Sequence, residues 1–327
     1  MVDPRPLIIV TRRIPEPVAT ALGQTFEVRL NRDDARLSPP ELRRVLSEAD
    51  GILCTLFDPL GAEVLLPGTH RCRILANFGA GIDHIDLAAA KAAGLVVTNT
   101  PDVLTDCTAD LTIALMLMTL RGLGAGERLL RDGHWKGWGP TDQLGRRVTG
   151  RTLGLVGFGR IGQAVAQRAS RAFGMRVLAW SRTRPPDSVL FATGAEWARS
   201  LEALLEESEI VSLHLPGSRE TDGLMNAARL ASMRPGSFLI NTARGSLVDE
   251  PALVAALDRG HLAGAGLDVF VNEPHVTSAL TVRNDVVLLP HLGSATLETR
   301  VDMGLRAVSN LRAFFEGDRP ADALNSP

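Results

Sequence analysis

The sequence predicts an α/β fold: parallel sheets covered by helices and divided between two domains. Three observations predict it. Short aliphatic or β-branched runs recur along the chain with helical stretches between them. The runs lack clean polar alternation, which is how strands buried on both faces of a parallel sheet read. And 327 residues, 45% apolar and 22% charged, are enough for two hydrophobic cores, given roughly 100–200 residues per domain.

In chain order the strand signals are "PLIIV" near residue 8, "GILCT" near 53, "CRILAN" at 72–77 and "GLVVTN" at 94–99. They continue with "TLGLVG" at 152–157, "MRVLAW" at 175–180, "EIVSLHL" at 209–215, "SFLINT" at 237–242, "GAGLDVF" at 264–270 and "DVVLLP" at 285–290. Between them, "SPPELRRVLSEAD" opens a helix with Ser38 as cap before two prolines, and "SLEALLEESE" opens one at Ser200 with acids in its first turn. "DEPALVAALDRG" runs from Asp249 to a glycine stop at Gly260. "LTDCTADLTIALMLMTLRG" is more apolar than a surface helix, so it lies either centrally beneath the domains or against a second subunit. A last helical stretch, "LETRVDMGLRAVSNLRAFFEG", follows "LLPHLGSAT".

Composition excludes several partners. The formal net charge is -2 and no basic block occurs, so no nucleic acid or anionic membrane is expected. The opening "MVDPRPLIIVTRR" has too short an apolar run for a secretory leader, and the longest apolar stretch, Ile113 to Met118, is far short of the roughly 20 residues that span a bilayer. Cys54, Cys72 and Cys107 are odd in number, widely spaced and without CxxC. They read as small buried residues in a reducing cytoplasm. Histidines and cysteines are scattered, so no metal site is expected.

The clearest chemistry lies in "TLGLVGFGRIGQAVAQRASRAFG", where Gly157, Gly159 and Gly162 form GxGxxG between a strand and a helix. The first glycine permits the tight turn, the second the approach of a pyrophosphate, and the third close helix packing. Phe158, Arg160 and Ile161 complete this loop, and the helix's free N–H groups supply the anion site. The following strand ends in "RVLAWSRTRP". Ser181 stands 19 positions beyond Gly162, where an acid would bond the ribose 2′-OH. Arg182 and Arg184 follow instead, and guanidinium groups can pair with a 2′-phosphate. The expected cofactor is therefore NADPH, with NADH used more weakly.

Three further segments end in chemically capable residues: "INTARGSLVDE" with Arg244, "GLDVFVNEP" with Asp268 and Glu273, and "LLPHLGSAT" with His291. Each follows a strand signal, which places the residues on loops at strand ends, where ligands gather in open α/β sheets. Together with "NFGAGIDHIDLAAAKAAGLVVTNTPDVLTDCTADLTIALML" and "GRTLGLVGFGRIGQAVAQRA", they make a chain that resembles the D-isomer-specific 2-hydroxyacid dehydrogenase family in the same order over almost its whole length. Within that family the resemblance is greatest to the glyoxylate and hydroxypyruvate reductases.

The resemblance implies two Rossmann-like, doubly wound domains, with a discontinuous substrate domain formed by residues 1–101 and 291–327 around a dinucleotide domain at 102–290. It implies Arg244 as clamp on a 2-keto acid, His291 as proton donor and Glu273 as its partner. Thr242, Ala243, Asp268 and Gly293, with His214 and Pro216 of "LHLPGSRET", would line the cofactor, and Thr112 is a further neighbour. Ala80 and Gly81 would offer amides to the substrate carboxylate, and Leu56 and Phe57 would bound the pocket, although Phe57 could equally be core. "DGHWKGWGP" implies a homodimer in which Trp138 of one subunit reaches toward the other's substrate pocket, with Trp135 beside it. Alternatives within the resemblance are a hydroxyphenylpyruvate or branched 2-keto acid reductase or a phosphoglycerate dehydrogenase, whose regulatory extension is not expected here. A non-catalytic nucleotide-sensing corepressor or scaffold is the reading from another class.

Overall fold

A computed structural model describes residues 5–68 and 70–325. The first four residues of the opening segment lie outside that range. The chain divides into two compact units, one comprising Met1–Leu104 with Ala295–Pro327 and the other Thr105–Ser294.

The first unit holds a parallel five-stranded sheet of β1 (Leu7–Val10), β2 (Glu27–Leu30), β3 (Gly51–Cys54), β4 (Ile74–Asn77) and β5 (Val96–Thr98), in the order β2-β1-β3-β4-β5. Every residue of β1, β3 and β4 is buried. Each face therefore has its own core. Leu42, Leu46, Ile52 and Leu75 belong to one, while Ile8, Leu53 and Ile74 belong to the other, which the helix Leu297–Phe315 covers with Met303, Ala307, Val308 and Leu311. That helix returns from the far end of the chain, which makes the unit discontinuous. The helix Pro39–Glu48 is capped as its sequence indicates: Glu41 accepts from the Ser38 backbone N–H at 2.8 Å.

The second unit holds a parallel seven-stranded sheet: β6 (Thr152–Val156), β7 (Arg176–Trp180), β8 (Ala195–Trp197), β9 (Ile210–Leu213), β10 (Ser237–Asn241), β11 (Leu262–Leu267) and β12 (Val286–Leu288). Its order, β12-β11-β10-β9-β6-β7-β8, reverses direction between β6 and β9. A reversal of this kind opens a crevice at the carboxyl ends of the two strands, where nucleotides bind in doubly wound sheets. The helix Thr105–Arg121 packs into this unit's core through Ala109, Ile113, Leu115, Met116 and Leu120. Burial there accounts for much of its apolar excess without a second subunit. No single helix among the described residues is long and apolar enough to cross a membrane.

The unit boundaries fall a few residues beyond those expected at 101 and 290. Val103 and Leu104 pack on the first unit's core. Residues 291–294 stay with the second because His291 N donates to the Asp268 carbonyl and the Leu292 and Gly293 amides donate to the Asp268 carboxylate. Two short strands, β2 and β8, gave no hydrophobic run in the sequence: "EVRL" and "AEW" are edge or near-edge segments with exposed charges. Cys54 and Cys72 are buried as expected, but Cys107 is only half-buried.

Candidate active site

Six loops of the second unit leave the carboxyl ends of strands in one sheet, and nearly all the expected site residues of that unit lie on them. Gly157 follows β6, Ser181 follows β7, His214 follows β9, Thr242 follows β10, Asp268 follows β11 and His291 follows β12. Parallel pairing puts all six on the same edge.

The glycine loop is shaped by close approaches. Gly157 has φ 95°, and a Cβ there would stand 2.3 Å from the His214 carbonyl oxygen. A Cβ on Gly162 would likewise stand 2.5 Å from the Gly157 carbonyl oxygen. A Cβ on Gly159 would meet nothing within 4 Å. Two glycines are thus demanded by the fold, and the third faces open space at the head of the 14-residue helix Arg160–Phe173. That is a cradle a pyrophosphate fits, with first-turn amides at Arg160 and Ile161. Phe158 is buried in the core beneath.

At the adenosine end no acid follows β7. Ser181 Oγ donates to the Thr183 carbonyl at 2.8 Å, Arg184 pairs with Asp187 at 2.6 Å, and Arg182 faces Glu220 at 3.8 Å. Arg182 and Glu220 are 86% and 80% exposed, so the pair is open to exchange with a ligand. Glu220 gave no sequence signal, because its loop comes beside Arg182 only through the β7-β6-β9 order. His214 Nε2 lies 2.8 Å from Ser212 Oγ, and burial lowers its pKa to about 3, so the ring is neutral at physiological pH. Thr221 Oγ1 braces the same loop by donating to the Pro216 carbonyl at 3.0 Å.

The remaining loops interlock. Thr112 and Thr242 share a hydroxyl contact of 2.9 Å, and Thr108 donates to the Gly293 carbonyl at 3.0 Å, tying the loops after β10 and β12 to one helix. Asn241 Nδ2 donates to the Arg244 carbonyl and its Oδ1 accepts from Ala243 N, fixing the turn that carries Arg244. Thr108 and Asn241 were not anticipated; they act through other residues and belong to no recognisable spacing. Gly245 lets this turn meet the next, since a Cβ would fall 2.0 Å from the Phe270 carbonyl carbon.

His291 Nδ1 lies 2.8 Å from Glu273 Oε2. The other carboxylate oxygen, Oε1, accepts from Phe270 N at 3.0 Å. Burial pushes the Glu273 carboxyl up, but the His291 bond and charge, the Phe270 amide and the Arg244 charge outweigh it and hold the carboxyl below its ordinary value. His291 sits at φ 55°, a left-handed position uncommon for a side chain of this size. Its backbone is held there by bonds to the Asp268 and Leu289 carbonyls. Asp268 is fully buried, and desolvation raises its pKa to about 6 despite donors from Leu292 at 2.7 Å and Gly293 at 2.9 Å.

In the first unit, Asn77 Nδ2 donates to the carbonyls of Gly79 and Gly81, and Asn99 Nδ2 to that of Ala80. These braces take up the loop's acceptors, while the Ala80 and Gly81 amides have no acceptor among the described residues. Leu56 and Phe57 are half-buried on a turn held by Asp58, and the Arg36 guanidinium lies 4.1 Å above the Phe57 ring, so Phe57 is not core.

A parallel sheet that reverses at a glycine cradle, with charged loops along one edge, defines a dinucleotide-binding α/β protein. Residues 113–293 match the family described as D-isomer specific 2-hydroxyacid dehydrogenase, NAD binding domain. The glyoxylate reductase of Thermococcus litoralis is 42% identical, with 98% of this chain and 97% of that protein covered. A solved structure of a Thermus thermophilus protein superposes with a TM-score of 0.89 at 44% identity, covering 98% of this chain and all of the other. The structure of the NADPH-dependent glyoxylate/hydroxypyruvate reductase of Sinorhizobium meliloti, in complex with NADP and malonate, superposes with a TM-score of 0.86 at 39% identity, covering 98% and 97%. The chain belongs to the D-isomer specific 2-hydroxyacid dehydrogenase family, close to the glyoxylate/hydroxypyruvate reductases.

Proposed function

We propose that this protein reduces small 2-keto acids, glyoxylate and hydroxypyruvate, to 2-hydroxy acids with NADPH in preference to NADH. The observation that carries the reading is the His291–Glu273 pair at 2.8 Å, on loops braced against the turn that bears Arg244. The names of the relatives support the substrate class, and Arg182 in place of an acid supports the cofactor.

A nicotinamide held along the carboxyl edge of this sheet would supply the hydride. Arg244 takes the substrate carboxylate and ketone oxygen and fixes the carbonyl carbon. As negative charge develops on the ketone oxygen, His291 hands it a proton from Nε2, because Nδ1 is engaged by Glu273. The ionised Glu273 fixes the ring; in the reverse direction the same ring accepts the alcohol proton.

The working unit is a homodimer in the cytoplasm. Leu123, Leu130, Trp135, Trp138 and Leu144 form a run of exposed large apolar side chains, with Trp138 85% exposed, and such a patch marks an interface. Initial rates with NADPH and NADH across glyoxylate, hydroxypyruvate, pyruvate and phenylpyruvate test the proposal. Highest kcat/KM with the two small acids and NADPH is expected; a preference for phenylpyruvate or for NADH overturns the respective half.

A further inference from the structure

At the opposite edge of the seven-stranded sheet, β6, β9 and β10 begin side by side, and a cavity of about 250 Å³ opens beneath them. Its lining includes Arg146, Arg151, Arg234, Glu209, Ser237 and Phe238. From these strand starts to the catalytic loops is the length of a five-residue strand, roughly 17 Å, so the cavity shares no residue with the site above.

The charges do not balance. Arg151 pairs with Glu209, whose second oxygen accepts from the Thr152 amide at 3.1 Å. The only carboxylate of this lining is thereby committed. Arg146 and Arg234 have no ion-pair partner among the described residues, which leaves the cavity with two net positive charges at neutral pH. Ser237 supplies an independent sign. It is 1% exposed, and its hydroxyl has no hydrogen-bond partner among the described residues, although buried polar groups are almost always satisfied. The volume is below the roughly 300–1,000 Å³ of pockets for drug-sized ligands and equals that of about eight waters. A compact anion fits both size and charge. A phosphate group carries about -1.5 to -2 near neutral pH and offers three acceptor oxygens to guanidinium and hydroxyl donors.

We infer that this cavity is a second anion site, distinct from the dinucleotide cradle, which takes a phosphate group as the free ion or as a small phosphate monoester through Arg146, Arg234 and Ser237. The test uses holoenzyme saturated with NADPH, so that the glycine loop is already occupied. Inorganic phosphate and methyl phosphate are titrated separately against chloride at matched ionic strength, with binding read by calorimetry. Wild type should bind at least one of them. Arg146→Gln/Arg234→Gln should weaken that binding at least tenfold and Ser237→Ala about threefold, each with unchanged kcat/KM for NADPH. Binding of both ligands points to a monoester site, and binding of inorganic phosphate alone to a free-ion site. No phosphate response beyond chloride, or an affinity equal in wild type and the double variant, overturns the inference. Arg146 and Arg234 are exposed, so the double variant retains the folded core.

Discussion

Removing the Arg182 guanidinium isolates the cofactor question. The side chain is 86% exposed and its present partner, Glu220, stands 3.8 Å away. A charge-assisted bond to a 2′-phosphate is worth roughly 1.5–3 kcal/mol, and solvent screening brings this exposed contact just below that range, to about 1.4 kcal/mol or tenfold in affinity. Arg182→Ala should therefore lower kcat/KM for NADPH about tenfold and change that for NADH less than twofold. Glu220 works in the other direction. A phosphate seated on Arg182 lies roughly 6 Å from that carboxylate, and two negative charges against one at that distance in water repel by about 1.4 kcal/mol, which salt reduces to about 1 or less. Glu220→Gln should then raise kcat/KM for NADPH about fivefold and leave NADH unchanged. Steady-state kinetics of wild type, both single variants and the double variant, at fixed ionic strength, give the full cycle. Equal proportional losses with the two cofactors in R182A, or a wild type that prefers NADH, would refute the assignment of the arginine.

Other outcomes follow from the loops that carry His291 and Asp268 and from the exposed Trp138. His291→Ala should leave NADPH binding, measured by fluorescence titration, nearly unchanged and lower kcat by roughly 100-fold or more; near-normal turnover sinks the proton-donor role. Trp138→Ala, at a side chain 85% exposed, should raise KM for the keto acid more than that for NADPH, and light scattering at micromolar concentration should show a dimer for wild type. Asp268 holds its proton more tightly folded than unfolded, at about 6 against 3.8, so its contribution to stability is full below pH 3.8 and lost as pH rises through 6. Asp268→Asn cannot titrate, and its stability relative to wild type should improve by about 2.4 kcal/mol between pH 4 and pH 7 in urea melts; a constant gap contradicts the shift.

The parts legible in the sequence were those with a local cause. Buried parallel strands show as unbroken aliphatic runs, so ten strands were readable, whereas "AEW" was not. The cap residues Ser38, Ser200 and Asp249 announce their helices because the bonds they make span three residues. The glycine loop was readable because its three glycines fall within six residues, although only Gly157 and Gly162 answer a steric demand of the fold. Glu220 was hidden for the converse reason: 38 residues separate it from Arg182, and only sheet order joins them. The threonine contacts of Thr108 and Thr112 with Gly293 and Thr242 span 130 residues or more and carry no pattern that periodicity detects. The apolar helix Thr105–Arg121 shows the limit of composition, since burial within its own unit and burial in a dimer write the same letters.

Asp268 and Glu273 are five residues apart on one loop, yet their environments drive them in opposite directions. Asp268 has lost water and gained two backbone amides, and desolvation wins, lifting it to about 6. Glu273 has also lost water, but it faces the imidazole of His291 and the charge of Arg244, and those interactions win, keeping it ionised. Two carboxylates so divided are suited to different tasks. The ionised Glu273 can stabilise charge on the ring as a proton is taken up or released. Asp268 anchors backbone: its carbonyl holds His291 N, and its carboxylate holds the next two amides. The left-handed backbone of His291 depends on that anchor, since φ 55° is disfavoured for a residue with a Cβ. The strain is held by the buried acid, and the ring it orients is thereby kept on Glu273. Loss of either carboxylate should impair the same histidine by different routes, one through charge and the other through position.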